Sequence, residues 1–445
     1  MTTPGCDFAR DYAARDALRV HMPGHKGKGP LGFEALDITE FDGADSLYEA
    51  DGIIRESEEN ASILFGAKTF YSTEGSSQCI RAMLQLVLLH AKEQGKKPLV
   101  AAGRNAHKAF LSAVALLDLE VLWLQPEEAS SYLSCKVSAE DVEKMLSALE
   151  EMPAAVYLTS PDYLGNLCDV AGIAAVCHRH GVLLVVDNAH GAYLHFLPAT
   201  MHPVDLGADM CCDSAHKTLP ALTGGAYLHV AEGAPALFSQ QAKNALQLFG
   251  SSSPSYLILQ SLDATNGYLA DGYGERLAAF VGHVWQLKEA LTARGYTLQG
   301  EEPLKVTIAA KAYGYTGVEL AKILLEKNIV CEFYDPDFVV MMVTPETEVA
   351  GLKRLEEALC AIPKRVAIEE LPPKFHDCEA AMSVREAAMS PCEVVAVEES
   401  VGRVLAAASV GCPPAVPIVV CGERIDAQAA ARFSYYGIKT CTVVK

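Results

Sequence analysis

At 445 residues with a formal net charge of −20, the chain is long enough for two or three domains. It is too acidic to favour nucleic acid or an anionic membrane, both of which demand basic patches, though the charge is compatible with a cationic substrate. Half of the residues are hydrophobic and 21% are charged, the balance of a soluble globular enzyme.

The 14 cysteines are scattered without a CxxC pair, and Cys211 and Cys212 are adjacent. That pattern suits neither a disulfide framework nor a zinc knuckle, so no metal is expected. The N-terminus, "MTTPGCDFARDYAARDALRV", has no apolar leader core, and no apolar run approaches the ~18 residues of a membrane span. A reducing cytoplasm is the expected compartment.

Residues 1–50, rich in Gly, Pro and Asp, read as an irregular N-terminal arm. The segment 51–295 reads as the major domain. It opens with a helix at "IRESEENASILFG", and the turn "STEGSS" then leads into a helix at "QCIRAMLQLVLLHAKEQG". Strands follow at "PLVAA", "EVLWL", "AAVYLTS", "VLLVVD", "ADMCCDS" and "GAYLHV", most of them separated by helical patterns, one of which starts after Ser138. Such alternation predicts βαβ units and a mostly parallel sheet covered by helices on both faces. Long helices fill "SSSPSYLILQ…LTARG". A small α/β domain over 296–365 reads as strand "LKVTIAA", helix "GVELAKILLEKN", strands "VCEFYD" and "FVVMMVT", and helix "VAGLKRLEEALCAI". The linker "ELPPKF" introduces a C-terminal module, 366–445, with a helix at "SVREAAM", a turn-strand at "CPPAVPIVVCGERI" and a last strand at "TCTVV".

Ligands of open parallel sheets sit at the carboxyl ends of the strands, and four groups fall at such ends. In "STEGSSQ" the hydroxyls of Ser76 and Ser77 open a helix, which suits a phosphate on the positive end of the helix dipole or a plain N-cap. Asp187 closes the apolar strand "VLLVVD", where a buried carboxylate needs a partner such as a protonated ring nitrogen, or else caps the next segment. The small Ala189 follows it. His107 in "GRNAHKAF" could stack on an aromatic cofactor or cap its helix. Ser214, His216 and Lys217 follow the strand "DMCCD" in "DSAHKTLPALTGG". The glycines come after this lysine, so it is not in a Walker loop; a Schiff-base lysine, its neutral amine favoured by desolvation, fits better. Together these groups are what pyridoxal phosphate requires, with Ser214 and His216 near its phosphate.

These residues resemble the Orn/Lys/Arg decarboxylases among the fold-type I, aspartate-aminotransferase-like pyridoxal phosphate enzymes. The resemblance rests on "HMPGHKG" (21–27), "RNAHKA", "LTSPDYLG" (158–165), "VDNAHGAY", "DSAHKTLPALT", "SSSPSYLILQSLD" (251–263) and "PPAVPIVVCGE" (413–423), in order along the chain. It implies the compact bacterial branch, without an N-terminal wing domain. It also implies that Lys217 carries the cofactor, Asp187 holds the pyridine nitrogen protonated, and His107 and Ala189 flank the ring. Ser76, Ser77, Ser214 and His216 would surround the phosphate, and Ser252 and Ser253 would approach the partner subunit's cofactor in a homodimer. Reprotonation of the substrate's α-carbon falls to His216 or Lys217.

The implied reaction converts lysine, ornithine or arginine to its amine and CO2. Another pyridoxal phosphate reaction (aminotransfer, aldol cleavage or elimination) and a non-catalytic cofactor-binding protein are the rival readings. The sequence departs from the family pattern at Asn188, in place of Glu, and at Tyr193, in place of His. Asp162 replaces the usual Thr, and Glu74 is unusual in the phosphate turn. Glu74 or Asp162 would hold a distal cationic group, and Tyr193 and Glu332, the latter at the family's acidic position in "IVCEFYD", are the other candidate substrate residues.

Overall fold

A computed structural model describes residues 1–125, 131–407 and 414–445. Seven strands make the large sheet: β1 Lys68–Ser72, β2 Leu99–Gly103, β3 Glu120–Leu124, β4 Ala155–Thr159, β5 Leu183–Asp187, β6 Met210–Asp213 and β7 Ala226–Val230. Their order is β1-β7-β6-β5-β4-β2-β3. Only β7 runs antiparallel to its neighbours, so β1 to β6 all present their carboxyl ends along one edge.

Period-two alternation sorts the strand residues between two apolar layers. Tyr157, Val185 and Cys212 enter the larger core, while Leu158, Leu184, Val186 and Cys211 enter the one on the opposite face. The adjacent cysteines thus point to opposite sides, and every described cysteine is a free thiol.

The helices expected between the strands are present. Ser138 begins one of them, Ala139–Ala148, with a reciprocal capping box to Asp141. The helix Ser76–Glu93 follows Gly75, whose φ of 72° lies in the left-handed region that glycine tolerates.

Two expectations near the N-terminus are corrected. The arm is not wholly irregular: Pro4–Ala14 is a helix, begun by a proline whose missing N–H costs nothing there, and Cys6 N donates to Asp263 Oδ2 at 2.9 Å. Strand β1 lies between the helix read at "IRESEENASILFG" and the turn "STEGSS", where no element was expected; the left-handed Gly66 ends that helix and releases "KTFYS" to pair with β7.

Four strands form a second, antiparallel-paired sheet: β8 Leu298–Gln299, β9 Lys305–Ala309, β10 Phe333–Tyr334 and β11 Phe338–Met342, in the order β10-β11-β9-β8. In the C-terminal module β12 Cys392–Ala396 pairs antiparallel with β13 Thr440–Val444. The turn-strand expected at 412–425 does not form in its described part, residues 414–425, which makes only isolated bridges at Glu423 and Arg424. Pro414 and Pro417 have no N–H to give a ladder. The Arg104 guanidinium takes the Pro417 and Ile418 carbonyls, at 3.2 and 3.4 Å.

Arg104 also pairs with Glu423 at 3.1 Å, both side chains buried, and so ties the C-terminal module to the residues just after β2. Removing one partner of a buried pair leaves an uncompensated charge. Arg104→Met is expected to lower the unfolding free energy by about 3–5 kcal/mol, read by urea titration, and Arg104→Met/Glu423→Leu to recover part of the loss. An unchanged urea midpoint in the single variant would contradict this anchoring role.

Candidate active site

A cavity of about 200 Å³ lies at the carboxyl edge of the large sheet, with Ser76, His107, Thr159, Asp187, Ala189 and Lys217 in its wall. Chain topology explains the convergence. Asp187 ends β5, Thr159 ends β4, and Lys217 sits on the short helix Ala215–Thr218 that follows β6. His107 and Ser76 each stand at the start of a helix after a strand.

Asp187 is buried, with Tyr157 OH donating to Oδ2 at 3.2 Å and Ala189 N to Oδ1 at 3.1 Å. Burial pushes its carboxyl up, and the Lys217 amine opposes that shift. Burial likewise lowers the Lys217 pKa, with Asp187 and Glu332 acting in the other direction. His107 Nδ1 accepts from Ala109 N at 3.1 Å, which requires a lone pair there and hence the neutral ring protonated on Nε2. Burial, then the charges of Lys217 and Lys108, push its pKa down to about 3. Ser214 donates to Ser76 Oγ at 2.9 Å, placing two hydroxyls together at the N-terminus of the 18-residue helix Ser76–Glu93.

This donor set fits pyridoxal phosphate. Lys217 offers the amine, Asp187 a carboxylate for the ring nitrogen, and the Ser76–Ser214 pair a phosphate site on a helix terminus. The buried Thr159 hydroxyl in the same wall has no hydrogen-bond partner, as expected of a group whose partner belongs to a bound molecule.

Other expected residues are placed differently. Ser77 is half-buried in the first turn of its helix, outside the cavity wall, and His216 is half-buried beside Lys217. Ser252 and Ser253 are exposed. Glu332 does reach the cavity, its Oε1 accepting from Tyr163 OH at 3.0 Å.

Glu74, Asp162 and Tyr193 do not line that cavity. The exposed Glu74 turns away to accept from Ser251 N. The Asp162 carboxylate is consumed by its own loop, accepting from Leu164 N and Asn166 N, each at 2.9 Å, and from Asn166 Nδ2 at 2.8 Å. Tyr193 is fully buried and donates to Glu302. Asn188 has a structural task too: its Nδ2 donates to Asp213 Oδ1 at 2.6 Å, where a Glu would set carboxylate against carboxylate.

The residue that sequence reasoning passed over is His190. It lies inside "VDNAHGAY", yet only the fold shows its ring against Lys217 Nζ at 3.1 Å. Asp213 was passed over as well. Burial pushes its carboxyl up, but His202 and His229, at 3.0 and 3.1 Å, outweigh this and hold it well below its ordinary value. It lies next to Ser214, so this charge cluster steadies the turn that carries Lys217.

Because the folded His107 resists protonation that the unfolded chain accepts, stability is lost as pH falls from about 6.5 towards 3. The slope is at most about 1.4 kcal/mol per pH unit. Urea titrations of the cofactor-stripped protein at pH 7 and pH 5 should therefore show a smaller loss in His107→Asn than in wild type. Equal losses would show that His107 titrates normally.

The sequence matches the family model "Orn/Lys/Arg decarboxylase, major domain" over residues 6–300 and "Orn/Lys/Arg decarboxylase, C-terminal domain" over 368–440. Protein YaaO of Bacillus subtilis (strain 168) is 31% identical over 98% of this chain and 94% of its own length. The arginine decarboxylase of Halalkalibacterium halodurans is 30% identical, covering 93% of this chain and 89% of the relative. Among solved structures, the Francisella novicida lysine decarboxylase LdcF superposes with a TM-score of 0.77 at 16% identity, over 100% of this chain and 81% of that one, and so shares the fold. The chain belongs to the Orn/Lys/Arg decarboxylase family, pyridoxal-phosphate-dependent carboxy-lyases of fold type I that act on basic amino acids.

Proposed function

We propose that the cavity around Lys217 is where this chain removes the α-carboxylate of a basic amino acid, with arginine the first substrate to test because the curated relatives at about this similarity include arginine decarboxylases. One observation carries the reading: the Lys217 amine, the Asp187 carboxylate, the His107 ring and the Ser76 hydroxyl share one wall at the carboxyl edge of the sheet. When bound, pyridoxal phosphate supplies the sink for the electron pair left on the α-carbon as CO2 departs.

The chain's own groups set that chemistry up. Lys217 attaches the cofactor covalently. Asp187, kept ionised by a positive partner, holds a proton on the ring nitrogen. His107 and Ala189 offer flat surfaces to the ring, and Ser76 and Ser214 bind its phosphate, with Ser77 and His216 close by. Pro414, Ala415 and Val416 of the C-terminal module close part of the cavity and exclude water from it. Glu332, at the cavity's exposed rim, binds the distal ammonium or guanidinium. The proton returned to the α-carbon comes from Lys217 or His216, which are adjacent on one short helix.

We also assign the chain to a homodimer in the cytoplasm. Leu18, Val20 and Leu31 in the arm are 88%, 82% and 68% exposed, an apolar surface that a second copy would cover, and Ser252 and Ser253 are free to reach it. No helix among the described residues is long and apolar enough to cross a membrane. The three sheets fall within 68–230, 298–342 and 392–444, which supports division into an arm (1–50), a major domain (51–295), a small domain (296–365) and a C-terminal module (366–445).

The cofactor-loaded protein should release CO2 from arginine, lysine or ornithine, and Lys217→Ala should release none. Asp187→Ala is expected to lower kcat by at least about 10²–10³-fold, as loss of a key electrostatic partner does. Glu332→Gln should raise KM several-fold with a smaller effect on kcat. Formation of a keto acid without CO2 would replace this reading with aminotransfer, and cofactor binding without turnover on any amino acid would make the chain a non-catalytic binder.

A further inference from the structure

His190 stands between two amines. Its Nε2 is 3.1 Å from Lys217 Nζ and its Nδ1 is 3.1 Å from Lys305 Nζ. Both His190 and Lys305 are buried, and Lys305 reaches the site from β9, in the second sheet.

Hydrogen-bond bookkeeping restricts the protons these three groups can hold. A neutral imidazole offers one N–H and one lone pair, whereas a lysine ammonium can only donate. Two ammonium groups cannot both be served by one ring, and an imidazolium would turn a donor towards each. One lysine is therefore a free amine that accepts the ring N–H.

The surroundings choose which. Lys305 Nζ also donates to the Asp162 carbonyl at 3.0 Å. Burial lowers its pKa, as it does that of Lys217, and the Glu302 and Asp162 carboxylates act against that shift. For Lys217 Nζ, the His190 ring is the hydrogen-bond partner the structure shows. The other titratable groups around it act through space. Asp187, Glu332 and Cys212 favour an ammonium there, and its proximity to His107, His216 and Lys305 opposes one. An ammonium at Lys305 thus meets two acceptors, and one at Lys217 would meet a single ring.

We propose that His190 and Lys305 are positioning residues that hold Lys217 as a neutral amine. The Lys305 ammonium donates to Nδ1 and fixes the ring as its Nε2–H tautomer, and that N–H donates to the Lys217 lone pair. Burial keeps the His190 pKa well below its ordinary value, in keeping with a neutral ring. The consequence is chemical: a neutral amine is the nucleophile needed to capture the cofactor's aldehyde, so capture needs no prior deprotonation by solvent. The inference rests on the reading that Lys217 is the cofactor-bearing lysine.

The test is the rate at which cofactor-stripped, full-length protein captures pyridoxal phosphate across pH 6–9, followed by visible absorbance. His190→Phe and Lys305→Met should raise the pH midpoint of capture by about one unit or more, equivalent to about tenfold slower capture at pH 7. His190→Gln, whose amide can accept from Lys305 and donate to Lys217, should keep the midpoint near that of wild type. An unmoved midpoint in both disruptive variants, or a slowing that is equal at every pH, would overturn the proposal and leave a structural role.

A second measurement needs no substitution at the pair. The 15Nζ resonance of Lys217 at pH 7, assigned by its loss in Lys217→Ala, should lie at the neutral-amine position, and an ammonium shift would overturn the proposal. If Lys217→Ala captures the cofactor as wild type does, the assignment of the cofactor lysine itself has failed, a result separable from failure of the pair.

Discussion

Asp187, Asp213 and Lys305 are buried and Lys217 is half-buried, so these ionisable groups are largely withdrawn from water. A charge in such a place has to be met by an opposite charge or by directed hydrogen bonds, or else it is neutralised. Much of the local architecture follows from this requirement. His202, His229 and Asn188 surround Asp213 and hold β5, β6, β7 and the chain after β5 in register around one carboxylate. Tyr157 and Ala189 converge on Asp187, and His190 separates Lys217 from Lys305. The same arrangement that makes these charges tolerable aims an amine and a carboxylate into one cavity, so stability and chemistry share their residues.

Closure of that cavity depends on parts distant in sequence. Arg104, just after β2, grips the C-terminal module through two carbonyls and Glu423, while Lys108 N donates to Ala415 O at 2.9 Å. Ala415 itself has a φ of 60°, in the left-handed region that costs an L-residue roughly 1–2 kcal/mol. That strain is held beside His107, where the module's chain crosses the cavity. β9 brings Lys305 from the other side. The site therefore draws on the large sheet, the second sheet and the C-terminal module, although the atoms meant for the cofactor come from the large sheet and its connections.

The residues that chemistry demands at strand ends were legible because the strands themselves were. "VLLVVD" and "DMCCDSAHK" announce β5 and β6 by apolar runs ending in a polar group, and their carboxyl ends locate Asp187 and Lys217. β1 was not legible: five residues, partly polar and joined closely to a helix, carry too little periodicity to separate from the turn that follows. The pairing of His190 with Lys305 spans 115 residues and exists only because β9 lies beside the segments that follow β4 and β5, which no local pattern records. The hydrogen bonds of Asp162 and Tyr193 were illegible for a related reason. Their polarity suggested a ligand, whereas the fold uses it to satisfy a loop and a buried Glu302.

Reduction of the cofactor-loaded protein with borohydride, followed by peptide mass mapping, most directly tests the claim that this buried amine is used covalently. The account predicts a phosphopyridoxyl mass on Lys217 and on no other lysine. A label on Lys305 or Lys108 in place of Lys217, or an unlabelled protein that still holds the cofactor, would contradict it.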